Sequence, residues 1–410
     1  MKATLLASSL LVSAAVAACS SPSTVTPPAD AGSDRFKPAG DPSDVPISGI
    51  TKDLVDAFDL GDALFDLPYR APDGLGPLFI RDACGECHGG AARGPGLVQK
   101  MAVVLPDGVT PDPDQSKLPF GHTLRLQLTA GAKTPIDAPK DPNVKVTIRL
   151  GPPVLGRGYL EAIRDDEIVR METEQKTRTD GIHGHVNHVT FASTTSGDPA
   201  YSTYKKGDVV IGRFGLKARV ATLDDFTADA FAGDMGMTSP MRPTEHPNPD
   251  GLTDDLRAGV DLDVGTVNKI AMYMRLLAIP YRETPNTKGE AAFTAAKCNV
   301  CHVPSLKTRA DYPIKVLAGI DAPVFTDLLV HDMGDALADG QEEGEAKSRE
   351  WRTAPLMGLR FARTYLHDSR AGSLDEAVRL HAGEAKVSAD LYQALGDADR
   401  AALLDYIGSL

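Results

Sequence analysis

Beyond residue 19, every cysteine of this chain sits in one of two short stretches, Cys84-Gly85-Glu86-Cys87-His88 and Cys298-Asn299-Val300-Cys301-His302. Both place two thiols three residues apart with an imidazole directly after the second. Cys-x-x-Cys-His is the attachment pattern for c-type haem: the thiols add to the two vinyl groups of the porphyrin and the histidine turns its ring onto the iron. One helical turn separates the sulfurs by about the distance between the vinyls. A zinc site usually draws its cysteine pairs from nearby sequence, whereas these pairs lie most of the chain apart. A disulfide within each pair leaves the histidine after both unexplained. The sequence therefore predicts two covalent haem c groups, at Cys84, Cys87 and His88 and at Cys298, Cys301 and His302. The run "GGAARGPG" after His88 fits a backbone that passes close to a flat cofactor.

Helices must hold these turns in place. Before the second pair, "TKGEAAFTAAKC" reads as a short helix in which Ala291, Ala292 and Phe293 lead into the cysteines; before the first, "DLGDALFDLPYRAPDGLGPLFIRDAC" does so over a longer connection. After the first pair comes an amphipathic helix, "DVGTVNKIAMYMRLLAIP", with Val267, Ile270, Met274 and Leu277 on one face and Pro280 just past its end. "DADRAALLDYIGSL" is its counterpart after the second pair. This layout predicts a mainly α fold of two cytochrome c-like haem domains, 49–285 and 286–410. The first domain is much longer, because "VKVTIRL", "HVTFAST" and "DVVIGRFGLKARVATL" read as strands between Gly, Pro and Asp turns, a β-rich insertion at about 140–222.

With 410 residues, 42% of them apolar, the chain can bury substantial cores, which excludes disorder of the whole. The net charge of -13 repels nucleic acid and suits a soluble surface or a basic protein partner. Residues 1–18 read as a secretory signal: Lys2, an apolar run through Leu5, Leu6, Leu10, Leu11 and Val12, then small residues. Val16-Ala17-Ala18-Cys19 resembles the lipobox of bacterial lipoproteins, which implies cleavage before Cys19 and lipidation of its thiol; Ser20 implies passage to the outer membrane. Residues 19–48, rich in Ser, Pro, Asp and Gly, read as a disordered tether. The expected location is the cell envelope, lipid-anchored and facing the periplasm.

Several blocks, "GPLFIRDACGECHGGAARGPG", "GRGYLEAI", "GRFGLKA", "GDMGMTSP", "LLVHDMGDALADG", "EWRTAPLMGLR" and "YLHDSRAGSLDEAVRLHAGEA", resemble in order those of the bacterial di-haem oxidoreductase family, from about residue 65 to the C-terminus. That family is related to the di-haem cytochrome c peroxidases and to MauG. Many members carry the label thiol oxidoreductase, which this chain does little to support, since its four non-lipobox cysteines are committed to haem. The resemblance implies a peroxidase-like oxidoreductase in which electrons pass between a C-terminal haem and a peroxide-reactive N-terminal haem. It further implies a small redox protein or a quinol-linked donor as partner. Some relatives bind calcium between domains, though no EF-hand-like loop is present here. A different class of protein, a non-catalytic di-haem electron carrier, shares every one of these motifs and differs only in having both irons closed.

Ser373 and Glu376 form a capping-box pattern, so a helix begins there, and Leu374, Ala377, Val378 and His381 share its apolar face. Periodicity alone makes His381 a core residue. In the related peroxidases and in MauG, however, the sixth ligand of the C-terminal haem stands at the same offset from the "HD" or "HS" of this block, which implies a haem iron held between His302 and His381. Met333, His331 and His367 are rivals for that place, Met333 the foremost.

For the N-terminal haem the resemblance puts the distal pocket around "DDFTADAFAGDMGMTSPMRPTEH"; where relatives commonly show a Gln, this chain has Phe226. Glu245 and Asp234 are the candidate proton shuttles, with surface solvation the plainer reading of both. Trp351 is a candidate relay beside the haem, with packing as its alternative, and Arg352, Arg360 and Arg370 are candidate partners of haem propionates, with surface ion pairs as theirs. His183, His185 and His188 lie outside the family pattern: alternate histidines on a strand share a face and present imidazoles to a metal or a haem edge, a solvated polar loop being the alternative.

Overall fold

The computed structural model describes residues 41–91, 97–129, 131–252, 259–279 and 285–410. The leader, Cys19, most of the tether and Pro280 lie outside them. Ten α-helices are present among the described residues: α1 (Lys52–Phe65), α2 (Cys84–Cys87), α3 (Arg157–Ala162), α4 (Asp165–Lys176), α5 (Leu223–Ala230), α6 (Val264–Leu276), α7 (Thr287–Ala295), α8 (Leu374–Arg379), α9 (Lys386–Ala394) and α10 (Asp397–Gly408). The strands are short and pair only as two-stranded antiparallel ribbons: β1 (Leu78–Phe79) with β3 (Gln127–Leu128), β2 (Leu97–Val103) with β4 (Val144–Leu150), and β5 (His188–Thr190) with β6 (Val209–Ile211). Two more ribbons follow, β7 (Leu306–Lys307) with β8 (Asp321–Ala322) and β9 (Val330–Asp332) with β10 (Glu350–Arg352). The fold is thus mixed helical with few, short sheets, and among the described residues no helix is long and apolar enough to cross a membrane.

The expected packing helix is α6. Asp263 caps it, accepting from the Thr266 N–H at 2.6 Å, and Val267, Ile270 and Met274 point into the core. It packs against α1 so closely that a Cβ on Gly61 would collide with the Lys269 carbonyl. Phe58 and Phe65 of α1 each meet the Tyr273 ring at 5.1 Å. A buried ion cluster ties α6 to its neighbours: the Arg275 guanidinium, fully enclosed, bonds Glu161 of α3 at 2.6 Å and also Asp224 of α5, while the Tyr312 hydroxyl donates to Glu161 at 2.8 Å. Removing one member of such a cluster costs about 3–5 kcal/mol, because the others are left charged and dry.

Two expectations are corrected here. The insertion at 140–222 is not β-rich: "VKVTIRL" is β4 as expected, but the other strands are three residues each, and α3 and α4 occupy 157–176. Asp165, Asp166 and Glu167 favour the start of α4 electrostatically, and Ile168, Met171 and Gln175 form its buried stripe, a 3.6-residue period stronger than the flanking turn signals. The tether also ends earlier than residue 48. Ile47 is buried, its N–H donates to Leu276 at 2.8 Å, and the Ala278 N–H donates to Val45 at 3.0 Å, so residues 45–47 belong to the folded body.

The cores do not divide the chain at residue 285. One large core runs from Ile47 to Met357 and takes in Leu306, Tyr312, Ile314, Leu317, Leu328 and Leu329. A second, smaller one joins α7, α9 and α10 through Phe293, Tyr392, Leu403, Tyr406 and Ile407.

Candidate haem sites

At the first site, α2 is a single turn, closed by the His88 N–H on the Cys84 carbonyl at 3.0 Å, which sets both thiols and the histidine together. Both cysteines are free; burial pushes their thiols up to about 12 for Cys84 and about 11 for Cys87, so they stay protonated. Burial pushes the His88 imidazole down to about 4, leaving it neutral as an iron ligand must be. The backbone at Gly151 lies flat against that ring: a Cβ there would stand 3.1 Å from Cε1. Phe65 closes another side, its ring centroid 6.1 Å away.

Asp234 is the acid that acts most on both thiols, whereas the charge acting on His88 is Arg157. It rides on a π-type turn, Phe231–Met235, that continues α5 and ends at Gly236 with φ 70°. Such turns concentrate at functional sites. Gly236 is needed there, since a Cβ would approach the Gly76 carbonyl to 2.7 Å. The Asp234 carbonyl accepts from the Ile80 N–H at 2.7 Å, anchoring the turn four residues before Cys84. Burial raises the Asp234 carboxyl above its usual range, while Lys100, Arg219 and Arg125 oppose the rise and Asp229 adds to it. Lys100 is itself pushed down to about 8 by burial and donates to Thr123 Oγ1 at 2.6 Å; Arg125 donates to the Gly233 carbonyl at 2.9 Å. Glu245 is half-buried and is not among the charges that act most on these thiols. Phe226 packs on Phe214 at 6.3 Å and brings no titratable group.

The second site is built differently. Lys297 takes a left-handed φ of 57° between α7 and a 3-10 turn at Cys298–Val300, and the His302 N–H closes on the Cys298 carbonyl at 2.9 Å. His302 Nδ1 meets the Phe325 carbonyl at 3.2 Å, offered by a residue held at φ 51°, a strained conformation for a non-glycine residue. That bond leaves Nε2 for the iron. Burial pushes His302 down to about 4, and His381 facing it pushes in the same direction. The capping box forms, Ser373 accepting from the Glu376 N–H at 3.1 Å, but α8 stops at Arg379, so His381 stands just past its end. There its Nδ1 bonds the Ala377 carbonyl at 2.7 Å, and its Nε2 is again the free nitrogen.

His302, His381, Cys298 and Cys301 line one cavity of about 210 Å³, walled mostly by apolar side chains including Phe293, Leu356, Leu403 and Ile407. Met333 and His367 line it too. His331 lines it as well, but both its ring nitrogens are engaged, Nε2 with Asp327 and Nδ1 with Glu384, each at 2.9 Å, and Cys301 and Asp327 raise its pKa despite burial. Cys301, Asp327 and His331 form the one group among the described residues with metal-ligand spacing, and Glu384 with Gln175 completes it as a hydrogen-bonded network that no local spacing in the chain signals. Neutral imidazoles, free half-buried thiols, the close approach at Gly151 and this apolar cavity all fit haem at the two sites.

Trp351 is buried on the wall of the second cavity, its Nε1–H donating to Leu337 at 2.9 Å and its ring stacked on His367 at 3.7 Å with Lys217 Nζ 4.0 Å from its centre. Of the candidate propionate partners, Arg370 is taken by Asp368, Arg352 lines the cavity itself while donating to the Gly215 carbonyl at 3.0 Å, and Arg360 follows Leu359, which lines the cavity. The histidine trio is dispersed: the His183 N–H goes to Glu384, His185 Nε2 to Glu350 and His188 Nδ1 to Glu345, each at 2.8–3.1 Å. The two sites nearly adjoin, since the Leu150 N–H bonds the His367 carbonyl at 2.7 Å and the next residue is Gly151 under His88.

A family model described as "Di-haem oxidoreductase, putative peroxidase" matches residues 137–410, the greater part of the chain and all of the second site. The chain belongs to the di-haem oxidoreductase family. The match begins after Cys84 and His88, so the first site's place in the family rests on its own residues. No curated protein sequence matches the chain. Among solved structures, a MauG-like protein associated with microbial copper homeostasis is 14% identical, covering 92% of this chain and 93% of its own with a TM-score of 0.40. Hydrazine synthase of Kuenenia stuttgartiensis, also 14% identical, covers 95% and 98% with a TM-score of 0.38. The di-haem peroxidase BthA of Burkholderia thailandensis is 14% identical over 83% and 74%, with a TM-score of 0.33. Similarity at this level is distant, and membership of the di-haem oxidoreductase family stands on the family match.

Proposed function

We propose that this member of the family is a c-type di-haem oxidoreductase of peroxidase type: the second site exchanges electrons, and the first is where peroxide or another small oxidant reacts. The observation that carries this reading is the contrast in surroundings, His302 and His381 together in an apolar cavity against a first motif whose thiols feel the buried Asp234 and, through it, a cluster of charges. Haem bound at both sites would supply the redox chemistry, and covalent attachment through the four thiols would keep it there. Two imidazoles with no thioether hold a potential lower than a Met-ligated centre and tolerate an oxidised iron. Leu356, Leu403 and Ile407 keep water from them. At the first site Asp234, raised by burial, is suited to take a proton from one peroxide oxygen and return it to the other. Lys100, Arg125 and Arg219 stabilise its anionic form in between.

The leader and the Cys19 box support a lipid-anchored, periplasm-facing protein supplied by a small redox protein or a quinol-linked donor. Optical and electron-paramagnetic-resonance spectra of the haem-loaded protein, with and without hydrogen peroxide, test the reading. One high-spin haem that changes on adding peroxide is the expected result. Two low-spin haems indifferent to peroxide, in oxidised and half-reduced protein alike, would make it an electron carrier instead.

A further inference from the structure

Tyr69 lies close to Cys84 of the first motif. It is 5% exposed, and its phenol oxygen is enclosed with no hydrogen-bond partner among the described residues. Its position is fixed from three sides. Its N–H donates to the Asp82 carbonyl at 2.8 Å, two residues before Cys84. Its ring meets Phe231 edge-on at 5.5 Å, and Phe231 opens the turn that carries Asp234. Burial, then the neighbouring Cys84, keep the phenol protonated well above neutral pH, so it is a donor and not an anion. Buried tyrosine hydroxyls nearly always find a partner, and an unpaired one in a packed site points to a group that supplies it.

The surroundings narrow what that group is. Thioether formation at Cys84 brings the vinyl edge of a porphyrin alongside, with the propionates on the opposite edge, so a phenol beside Cys84 does not serve them. The ring of His88 is occupied by Phe65 and Gly151. Tyr69 is instead linked through Phe231 to the side that Asp234 borders. We propose that the Tyr69 hydroxyl donates a hydrogen bond to the oxygen or halide ligand on the open face of the N-terminal haem, making it a second catalytic residue beside Asp234. This rests on the first site being open.

Fluoride is the probe, because as an anionic ligand of ferric haem it responds to distal donors without turnover. The full-length haem-loaded protein and its Tyr69→Phe variant are titrated with fluoride optically, and both are melted. Loss of one hydrogen bond should weaken fluoride binding about tenfold and shift the high-spin charge-transfer band, while the melting temperature holds or rises because an unpaired buried hydroxyl has gone. Equal fluoride affinity in the two proteins would overturn the role of Tyr69 and leave the open site standing. A melting temperature several degrees lower would overturn it as well, by giving the phenol a structural partner. A wild-type protein that takes no fluoride would overturn the open site and the proposal together.

Discussion

The two haem sites share a five-residue motif and little else. Around His302 the chain supplies a second imidazole, an apolar wall and backbone carbonyls that fix both rings. Near the thiols that precede His88 it supplies Asp234, and around Asp234 a crowd of charges, Asp229, Lys100, Arg125 and Arg219, of which the first three also act on the His246 imidazole. Desolvation acts on both but to different ends. Among apolar side chains it keeps the imidazoles neutral; among opposed charges it raises a carboxyl above its ordinary range.

The contrast is open to attack at several strengths. The largest effect is expected from Cys84→Ala and Cys298→Ala, each of which should lose one covalent haem and keep the other, read by haem stain on a denaturing gel; loss of both from either variant would deny that the sites are independent. Next, Asp234→Asn should slow reaction with peroxide by about 10²–10⁴-fold at unchanged haem content, whereas Glu245→Gln should leave the rate as it is, so equal losses in stopped-flow traces would erase the distinction between the two acids. At the second site, His381→Met should raise that haem's potential and His381→Gly should convert it to high spin, with the first haem's spectrum unmoved.

Smaller effects concern stability. A carboxyl raised above its ordinary 3.8 favours the folded protein at low pH, and that contribution is lost as pH rises through the raised value. Asp234→Asn should therefore stabilise the haem-free protein at pH 7 by on the order of 1 kcal/mol, visible as a higher melting temperature that vanishes in acid. His185 is raised in the folded protein, chiefly by its bond to Glu350, so its contribution is full below pH 6.5 and lost as pH climbs through the raised value. His185→Gln should cost less than about 1 kcal/mol at pH 6 and nothing at pH 9 by denaturant melts.

What could be read in the chain beforehand follows the range of the forces involved. Patterns set within one or two turns were legible: the motifs, the α6 stripe, β4, and the cap at Ser373, although the helix it starts ends two residues before His381. Longer-range features were not. Two helices, α3 and α4, stand between the expected strands because Ile168 and Met171 found a core contributed by distant segments. The ion pairs of His331 with Asp327 and Glu384 bring together residues up to 53 positions apart, and Asp234 stood apart from Glu245 only once burial was known, a quantity that no local pattern carries.

The large core has a consequence in time as well as in space. Because it joins Ile47 and Tyr69 to Leu329 and Met357, it draws together segments from opposite ends of the chain, and chains rich in such distant contacts fold slowly. That core is complete only when the segment around Met357 joins it, so the face of Cys84 that packs against it is covered late in the making of the chain.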